Sequence, residues 1–264
     1  MSERLPTGKN PIVIGVIHLP PLPGSPRYQG DTQSLVERVR HDAEALASGG
    51  VDAVIVENFG DSPFCPESVS ALTISHFTVL AHLIAGWTKL PMGINVLRND
   101  ACSALAIAHA TGSAFIRVNI LTGARVTDQG VIQGKAHELL RLRSQLAPRE
   151  IQIFADIDVK HSAPLAVRPL EEEAAETLFR GGADGLIVSG TGTGKETSVE
   201  TMRTVRKASL HHPLFVGSGV TEQNARSYLP EASGFIIGTY FKSEGRTENA
   251  VDATRVKRFM ASIR

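Results

Sequence analysis

Five charged side chains fall in three β-rich runs of the sequence, at positions that could share one site. Asp156, Asp158 and Lys160 alternate along one run, while Glu57 and Arg117 belong to two others. Carboxylates in unlike environments can hold opposite protonation states at neutral pH, and cations stabilise a developing enolate or oxyanion. The set predicts catalysis by proton transfer. Asp156 or Asp158 would be the general base or acid with Glu57 as its partner, and Lys160 and Arg117 would stabilise the oxyanion.

Three further polar residues fall at similar points of other β-rich runs. His18 ends the first run, and Asn95 and Asn119 lie in the third and fourth. We expect all three to bind the substrate, because amide and imidazole groups can both donate and accept hydrogen bonds. For His18, a structural hydrogen bond that anchors the following loop is the alternative.

The charged residues also allow other roles. Asp156 or Asp158 could simply pair with Lys160, and Glu57 with Arg117, to close the site with ion pairs. Lys160 could be a Schiff-base nucleophile, which requires a depressed pKa. A magnesium or calcium ion on Glu57, Asp156 and Asp158 is a further alternative, because these cations prefer oxygen ligands. Since the neighbouring cations can supply the counter-charge, the first expectation is a site without a metal or other cofactor.

Three glycine-rich stretches follow the last β-rich runs and carry almost no charge. Glycine allows close backbone approach and positive φ, and barrel enzymes often bind phosphate at such loops. We therefore predict a phosphate site and a small phosphorylated ligand. The predicted phosphate-binding residues are Gly190, Gly192, Gly217, Ser218, Gly219, Gly238 and Thr239.

The first of these stretches, SGTGTGKET, is similar to a nucleotide-binding P-loop. That motif is G-x-x-x-x-G-K followed by Ser or Thr. Here Ser189 stands in place of the first glycine, and Glu196 in place of the hydroxyl that holds magnesium. Two of the four fixed positions fail, so the stretch is better interpreted as a further wall of the anion site. The role of Lys195 stays open.

Short strands alternate with amphipathic helices along the whole chain. Strict alternation requires a parallel sheet with helical crossovers, and eight units in roughly 250 residues match a closed (β/α)8 TIM barrel. We predict one such barrel, similar to the ribulose-phosphate-binding barrels, as a single domain over residues 1–264. A doubly wound open sheet is the alternative. The predicted strands are Ile12–His18, Ala53–Asn58, Met92–Leu97, Ala114–Asn119, Ile151–Lys160, Gly185–Gly190, Pro213–Gly219 and Gly234–Thr239.

Side-chain alternation then decides which residues face the barrel interior. On the fifth strand the aliphatic residues share one parity, and Phe154, Asp156, Asp158 and Lys160 share the other. The second set, with Arg117 from the fourth strand, should face inward. The active site of such a barrel lies at the carboxyl ends of the strands, so these residues should meet at one mouth.

Composition limits the partners. The 27 basic side chains are balanced by 27 acidic ones, which removes the positive surface that a general nucleic-acid binder needs. No apolar run approaches the ~20 residues of a membrane span, and the first ten residues resemble no signal peptide. We expect a cytoplasmic protein that is not membrane-inserted. Its two cysteines suggest no disulfide framework. Association into a homo-oligomer stays open.

The loop after the first strand, Leu19 to Tyr28, contains four prolines and is too long for a simple turn. Long loops in compact domains are usually functional or disordered. This one could be a lid that carries Arg27 and Tyr28 to a substrate, or a surface for a partner protein. The loop Phe59 to Phe64 allows the same two interpretations.

Several long motifs resemble the BtpA family, in order along essentially the whole chain. They are GVIHLPPLPGSPRY, VDAVIVENFGDSPF, GINVLRNDACSALAIA, FIRVN followed by TDQGVIQGKA, FADIDVKH and VGSG. The resemblance implies a TIM barrel. The family's namesake is a cyanobacterial factor needed for accumulation of the photosystem I reaction-centre proteins, and other members are labelled phosphoribosylanthranilate isomerase or nucleoside triphosphatase. The SGTGTGKET loop is richer in lysine than the family's usual turn.

Two functions are therefore expected. The first is an enzyme, an isomerase, epimerase or lyase that acts on a small phosphorylated sugar-like substrate by general acid–base catalysis. The second, implied by the resemblance, is an assembly or stability factor for photosystem I, with the barrel as its scaffold.

Overall fold

The computed structural model describes Leu5 and residues 11–146, 151–190 and 192–264. It contains eleven strands and eight α-helices in these residues. The strands are β1 Ile12–His18, β2 Ala53–Glu57, β3 Met92–Asn95, β4 Phe115–Val118, β5 Ala124–Thr127, β6 Gly130–Gln133, β7 Gln152–Ile157, β8 Ser162–Pro164, β9 Gly185–Val188, β10 Leu214–Val216 and β11 Gly234–Ile237. The helices are α1 Thr32–Gly49, α2 Ala71–Thr88, α3 Ala101–Thr111, α4 Ala136–Gln145, α5 Leu170–Ala175, α6 Val199–Ser209, α7 Ala225–Tyr228 and α8 Ala253–Ile263.

Eight of the strands form a closed parallel barrel in the order β1-β11-β10-β9-β7-β4-β3-β2. Closure is direct, because β1 pairs in parallel with both β2 and β11; Ile14 lies opposite Ala53 on one side and Ile236 on the other. The TIM-barrel prediction is confirmed, and the doubly wound open sheet is wrong.

Several helices start at residues whose side chains cap them. The Asp31 carboxylate accepts the N–H of Ser34 at the start of α1, and the Asp100 carboxylate accepts the N–H of Ser103 at the start of α3. These acceptors satisfy donors that the first turn of a helix cannot pair internally. The βα connections are thereby fixed at the edge where the strands end.

Two apolar layers hold the barrel together. Outward-facing residues such as Ile116 and Val118 pack against the helices, as side-chain alternation predicts. Inside the barrel, the Phe154 ring lies 5.3 Å from the Phe115 ring and 5.2 Å from the Phe215 ring. Gly93 makes room for this cluster, because a Cβ there would lie 2.0 Å from the Phe115 ring. Each buried ring contributes about 1.5–3 kcal/mol and fills the interior below the mouth.

The barrel strands end earlier than the sequence predicts, and this changes the orientation of Asp158. β7 ends at Ile157, and Asp158 follows with φ 48°, in the left-handed region. The regular alternation of side chains stops there. The inward orientation predicted for Asp158 is therefore wrong, whereas that of Asp156 within the strand is correct.

A small antiparallel sheet beside the mouth was not predicted. β5 pairs with both β6 and β8, so chain segments that follow β4 and β7 form one three-stranded sheet. The buried Arg125 of β5 donates hydrogen bonds to Asp158, Ser162 and Glu173. This sheet therefore pulls Asp158 away from the barrel axis.

Helix α2 is, among the described residues, the one helix long and apolar enough to cross a membrane by length and composition. Its mean hydropathy is 1.2 over 18 residues. In the structure Phe77, Leu80, Ala81 and Ile84 pack into the barrel core. The apolar character of α2 thus also fits its place in the helical ring.

Candidate active site

Arg117 lies at the centre of the mouth and joins two carboxylates. Its Nη1 donates to Glu57 Oε1 at 3.1 Å, and its Nη2 donates to Asp156 Oδ1 at 3.1 Å. All three side chains are buried. Burial alone would raise the pKa of Glu57, but Arg117, then His18 and Lys160, outweigh it and hold the pKa below its usual value. Glu57 is therefore ionised at neutral pH.

The two predicted asparagines complete this network. The Asn95 amide donates to Glu57 Oε1 at 3.0 Å, and the Asn119 amide donates to Asp156 Oδ2 at 2.6 Å. Asn119 Oδ1 is buried and has no hydrogen-bond partner among the described residues. The amide groups of Asn95 and Asn119 thus fix both carboxylates, while Asn119 Oδ1 can still accept a hydrogen bond.

The two aspartates differ in what they can reach. Asp156 lies beneath Arg117 with a fully buried carboxylate and lines neither cavity at the mouth. The carboxylate of Asp158 is 61% exposed and pairs with Arg125. The structure thus opposes the catalytic role expected for Asp158, and gives Asp156 a role in positioning Arg117.

The cation site considered as an alternative, on Glu57, Asp156 and Asp158, is not formed by the described residues. Asp158 lies outside the cluster, and Arg117 already occupies the oxygens of the other two. No group of three or more metal-ligating side chains occurs in the part of the chain that the structure describes.

Lys160 lies at the mouth and is not held by a carboxylate among the described residues. It is partly buried, and no carboxylate lies within ion-pair distance of its ammonium in the described ranges. The expected pairing of Lys160 with Asp156 or Asp158 is wrong, because Arg117 and Arg125 take those partners. Burial and the neighbouring Arg117 lower the pKa of Lys160 from 10.5 to about 8.

His18 lies against Glu57 as part of the same wall. Its Nε2 is 3.9 Å from Glu57 Oε2, and its ring lies 4.8 Å from the ring of Phe59. Burial and the positive charge of Lys242 lower the pKa of His18 from 6.5 to about 3, so the imidazole is neutral at neutral pH. Nδ1 is buried without a partner in the described part of the chain, so the predicted structural hydrogen bond is absent there.

The mouth has two lobes that share walls. The smaller lobe, about 210 Å³, lies over the ends of β10 and β11 and is lined by Gly217, Ser218, Gly219, Gly238 and Thr239. The larger lobe, about 640 Å³, lies over β2, β3 and β4. Glu57, Arg117, Lys160 and Thr193 line both. A ligand could therefore contact the glycine loops and the charged residues at once.

Backbone geometry in the smaller lobe depends on glycine. Gly219 has φ +68°, and a Cβ there would lie 2.3 Å from the Lys195 carbonyl oxygen. A Cβ on Gly238 would lie 2.7 Å from Cε1 of the His18 ring. The N–H groups of Gly219 and Val220 donate to no acceptor that the structure describes. Both residues line the smaller lobe.

The loop after β9 contributes differently from the prediction. Gly190 and Gly192 are buried and do not line the smaller lobe, while Thr193 and Gly194 do. A Cβ on Gly190 would lie 2.2 Å from the Lys195 carbonyl oxygen, so Gly190 permits packing within the loop. The expected phosphate contacts of Gly190 and Gly192 are therefore wrong. Thr191 lies outside the described residues.

Ser218 and Lys195 hold this loop together. The Ser218 hydroxyl accepts the Gly190 N–H at 2.8 Å and donates to the Lys195 carbonyl at 3.1 Å. The Lys195 side chain is exposed and does not line the cavity. Ser218 thus lines the lobe, but its hydroxyl binds neighbouring backbone, and Lys195 is not part of a P-loop.

Two basic residues of the larger lobe were missed. Arg98 is 4% exposed and donates from Nη2 to the Lys160 carbonyl at 2.7 Å. His161 Nε2 lies 3.2 Å from Thr193 Oγ1, across the mouth. Both residues follow the end of a barrel strand, at positions where the residue order gives no orientation. Their position just after a strand end is the sequence signal that could have identified them as residues of the mouth.

The proline-rich loop is packed rather than open. Leu22 is buried, and its N–H donates to the Asp61 carboxylate at 2.8 Å. Arg27 donates to the Gly60 carbonyl and lines the larger lobe, as the lid interpretation expects. Tyr28 instead contacts Thr32 at 2.7 Å and does not line either lobe.

Comparison with known proteins shows the family of this chain. The BtpA family model matches residues 9–264. The chain belongs to the BtpA family. The photosystem I biogenesis protein BtpA of Synechocystis is 44% identical over 251 residues, which cover 95% of this chain and 87% of that protein. The sequence resemblance is confirmed.

Solved structures similar to this BtpA-family chain are TIM-barrel enzymes. Phosphoribosylanthranilate isomerase from Pyrococcus furiosus has a TM-score of 0.57 at 12% identity, covering 96% of this chain and 98% of that one. Orotidine 5′-phosphate decarboxylase from Pyrococcus horikoshii has a TM-score of 0.59 at 12% identity, covering 96% and 99%. At this identity the likeness supports the fold alone.

Proposed function

We propose that this BtpA-family protein is an enzyme that moves a proton on a small phosphorylated, sugar-like substrate. The phosphate would bind at the Gly217–Gly219 and Gly238–Thr239 loops. The reacting carbon would lie between Glu57 and Lys160, and the reaction would be an isomerisation, epimerisation or lyase cleavage. Two similar folds, named for enzymes of phosphorylated substrates, support this class of ligand.

The observation that carries the proposal is the state of Lys160. A partly buried ammonium without a carboxylate partner costs free energy unless a ligand compensates it. Lys160 lines both lobes, beside the glycine loops and opposite Glu57. With a pKa of about 8 it is mostly protonated at pH 7, although roughly a tenth of the molecules carry the neutral amine.

Glu57 and Lys160 would then divide the proton transfer. Glu57 is ionised, and its Oε2 carries no hydrogen bond in the described residues, so it would accept the proton from carbon. Lys160 would donate to the oxygen that becomes negative, and Arg117 would stabilise that charge. His18, neutral and adjacent, would contact the phosphorylated end. Asp156 and Asn119 would hold Arg117 in place.

Hydrogen exchange tests this proposal without knowledge of the product. The full chain is incubated in D2O with a panel of phosphorylated aldoses, ketoses and sugar acids, and loss of carbon-bound protons is followed by ¹H NMR. We expect exchange with at least one compound, and a decrease of about 100-fold or more in E57Q and in K160M. K195M removes an exposed lysine outside the cavity and is the matched control.

Two outcomes would contradict the proposal. One is the absence of exchange with every compound of the panel. The other is full exchange in folded E57Q and K160M, with circular dichroism as the folding check. Borohydride treatment with carbonyl compounds, followed by mass spectrometry, separates a Schiff base on Lys160 from acid–base use of the amine.

We propose assembly of a membrane protein complex as the second candidate, because the 44% identical relative is named a photosystem I biogenesis protein. A scaffold needs an exposed apolar surface. Val126, Val131 and Leu165 of the small sheet and its continuation are 45%, 52% and 62% exposed, whereas Leu22 of the proline-rich loop is buried. The small sheet is thus the better docking candidate. A cytoplasmic location stays a prediction.

Complementation separates the two candidates. In a strain that lacks the gene, the enzyme proposal predicts that K160M fails and V131D succeeds. The scaffold proposal predicts the reverse. Protein level in the cell is measured for both variants, so that a loss of folding is recognised.

A further inference from the structure

The larger lobe contains a second buried cation without a carboxylate partner. Arg98 is 4% exposed and lines the lobe beside Lys160. Its Nη2 is bound to a backbone carbonyl, and its Nε is buried without a hydrogen-bond partner. No carboxylate lies within ion-pair distance of its guanidinium among the described residues. The lobe thus holds two neighbouring cations that form no ion pair among the described residues, although the carboxylates of Glu57 and Asp128 also line it.

Other deeply buried cations in the described part of the chain are paired. Lys242 donates to the Asp42 carboxylate at 2.6 Å, Arg117 binds Glu57 and Asp156, and Arg125 binds Asp158 and Glu173. Removing a guanidinium from water is costly unless an anion compensates it. Arg98 therefore lacks the direct ion pair that the fold gives to comparable side chains, since the carboxylates of Asp156, Asp128 and Glu57 act on it only from beyond ion-pair distance.

A hydrogen-bond acceptor lies in the same lobe. Asn119 is 2% exposed, and its Oδ1 has no partner in the described residues. Its amide nitrogen is already fixed on Asp156, so Oδ1 is the atom left for a ligand. A ligand that satisfies the lobe would carry an anionic group for Arg98 and a hydroxyl or N–H donor for Asn119.

We propose that the larger lobe binds a second anionic group of the substrate, a carboxylate or a second phosphate, on Arg98. This inference rests on the proposed function, which places the first phosphate of the substrate in the smaller lobe. The shared walls of the two lobes allow one molecule to span both. The substrate class is then a hydroxylated sugar phosphate with an anionic group at its other end.

Calorimetric titration of the full chain tests the second anion. The probes are inorganic phosphate, sorbitol 6-phosphate, 6-phosphogluconate and fructose 1,6-bisphosphate. Sorbitol 6-phosphate and 6-phosphogluconate differ only in a hydroxymethyl group against a carboxylate. A charge-assisted contact to Arg98 predicts about 10- to 100-fold tighter binding of the doubly anionic compound. The better of 6-phosphogluconate and the bisphosphate identifies the second anion as carboxylate or phosphate.

Variants of Arg98 test whether this residue causes the tighter binding of the doubly anionic compounds. R98M should remove the discrimination and leave the affinity of the smaller lobe for inorganic phosphate within about twofold. R98K keeps the positive charge but loses the planar guanidinium, so it should retain part of the discrimination. It also provides a conservative variant in case R98M does not fold. R40M removes an exposed arginine of α1 and is the control for net charge.

The outcomes separate the two proposals. Equal affinities for all sugar phosphates in the wild type, or full discrimination in R98M, would overturn the second-anion site alone. A failure of inorganic phosphate and of every sugar phosphate to bind would overturn the proposed function and this inference together.

Discussion

Replacing Arg117 by methionine would leave two buried carboxylates without their shared cation. Glu57 and Asp156 are 5% exposed, and Arg117 is 3% exposed. Removing one partner of a buried ion pair costs about 3–5 kcal/mol, because the remaining charge stays buried. For a chain of this size that corresponds to a fall of roughly 6–20 °C in the midpoint of thermal unfolding. Differential scanning fluorimetry and urea unfolding measure it.

The loss should depend on pH in a defined direction. In the wild type the pKa of Glu57 lies below its usual 4.5, so Glu57 contributes stability above that value, which is lost as pH falls through the folded pKa. In R117M, burial is no longer outweighed by Arg117 and raises the pKa of Glu57, so Glu57 takes up a proton and the penalty shrinks between pH 7 and pH 5. The double variant R117M/D156N should lose less than the sum of its single changes.

Arg40 provides the matched control, because R40M removes an exposed arginine and should change stability by less than about 0.5 kcal/mol. A loss below about 1 kcal/mol in R117M would refute the network as a buried, mutually dependent unit. A penalty that is equal at pH 5 and pH 7 would refute the electrostatic explanation.

Two further predictions concern the buried Lys242–Asp42 ion pair and a glycine of the smaller lobe. K242M should lower the free energy of unfolding by about 3–5 kcal/mol, measured in urea, because it leaves the buried Asp42 carboxylate without its cation. The Oδ1 atom of Asp42 also accepts the Val251 N–H. An unchanged free energy of unfolding would contradict that estimate. G219A should lower stability by about 1–3 kcal/mol and weaken phosphate binding, because a Cβ would meet the Lys195 carbonyl at φ +68°. G30A, also at positive φ but with open space around it, should leave phosphate binding unchanged.

Regular structure made part of this architecture predictable. Alternation along a strand orients Arg117 and Asp156 correctly, because both lie within barrel strands. The same rule fails at Asp158, since the chain turns to φ 48° one residue after β7 and Arg125 holds the side chain outside. Side-chain parity is therefore reliable within a strand, whereas just beyond a strand it holds for Asn119 and fails for Asp158, because the local backbone decides there.

Tertiary contacts decided the rest of the site. Arg98 and His161 enter the larger lobe from loops, and no local pattern fixes where a loop residue points. The glycines after β9 show the same limit, because Gly190 is required by packing against the Lys195 carbonyl rather than by a ligand. The small sheet brings β5 and β8 together across more than thirty residues, so its formation could not be inferred from either segment alone.

The most direct test of the central claim is a crystal structure of the protein grown with inorganic phosphate. We expect tetrahedral density in the smaller lobe, within hydrogen-bond distance of the Gly219 N–H and beside Thr239, and its loss in G219A crystals grown under the same conditions. Phosphate bound only outside the lobe, or a lobe that excludes phosphate at saturating concentration, would contradict it.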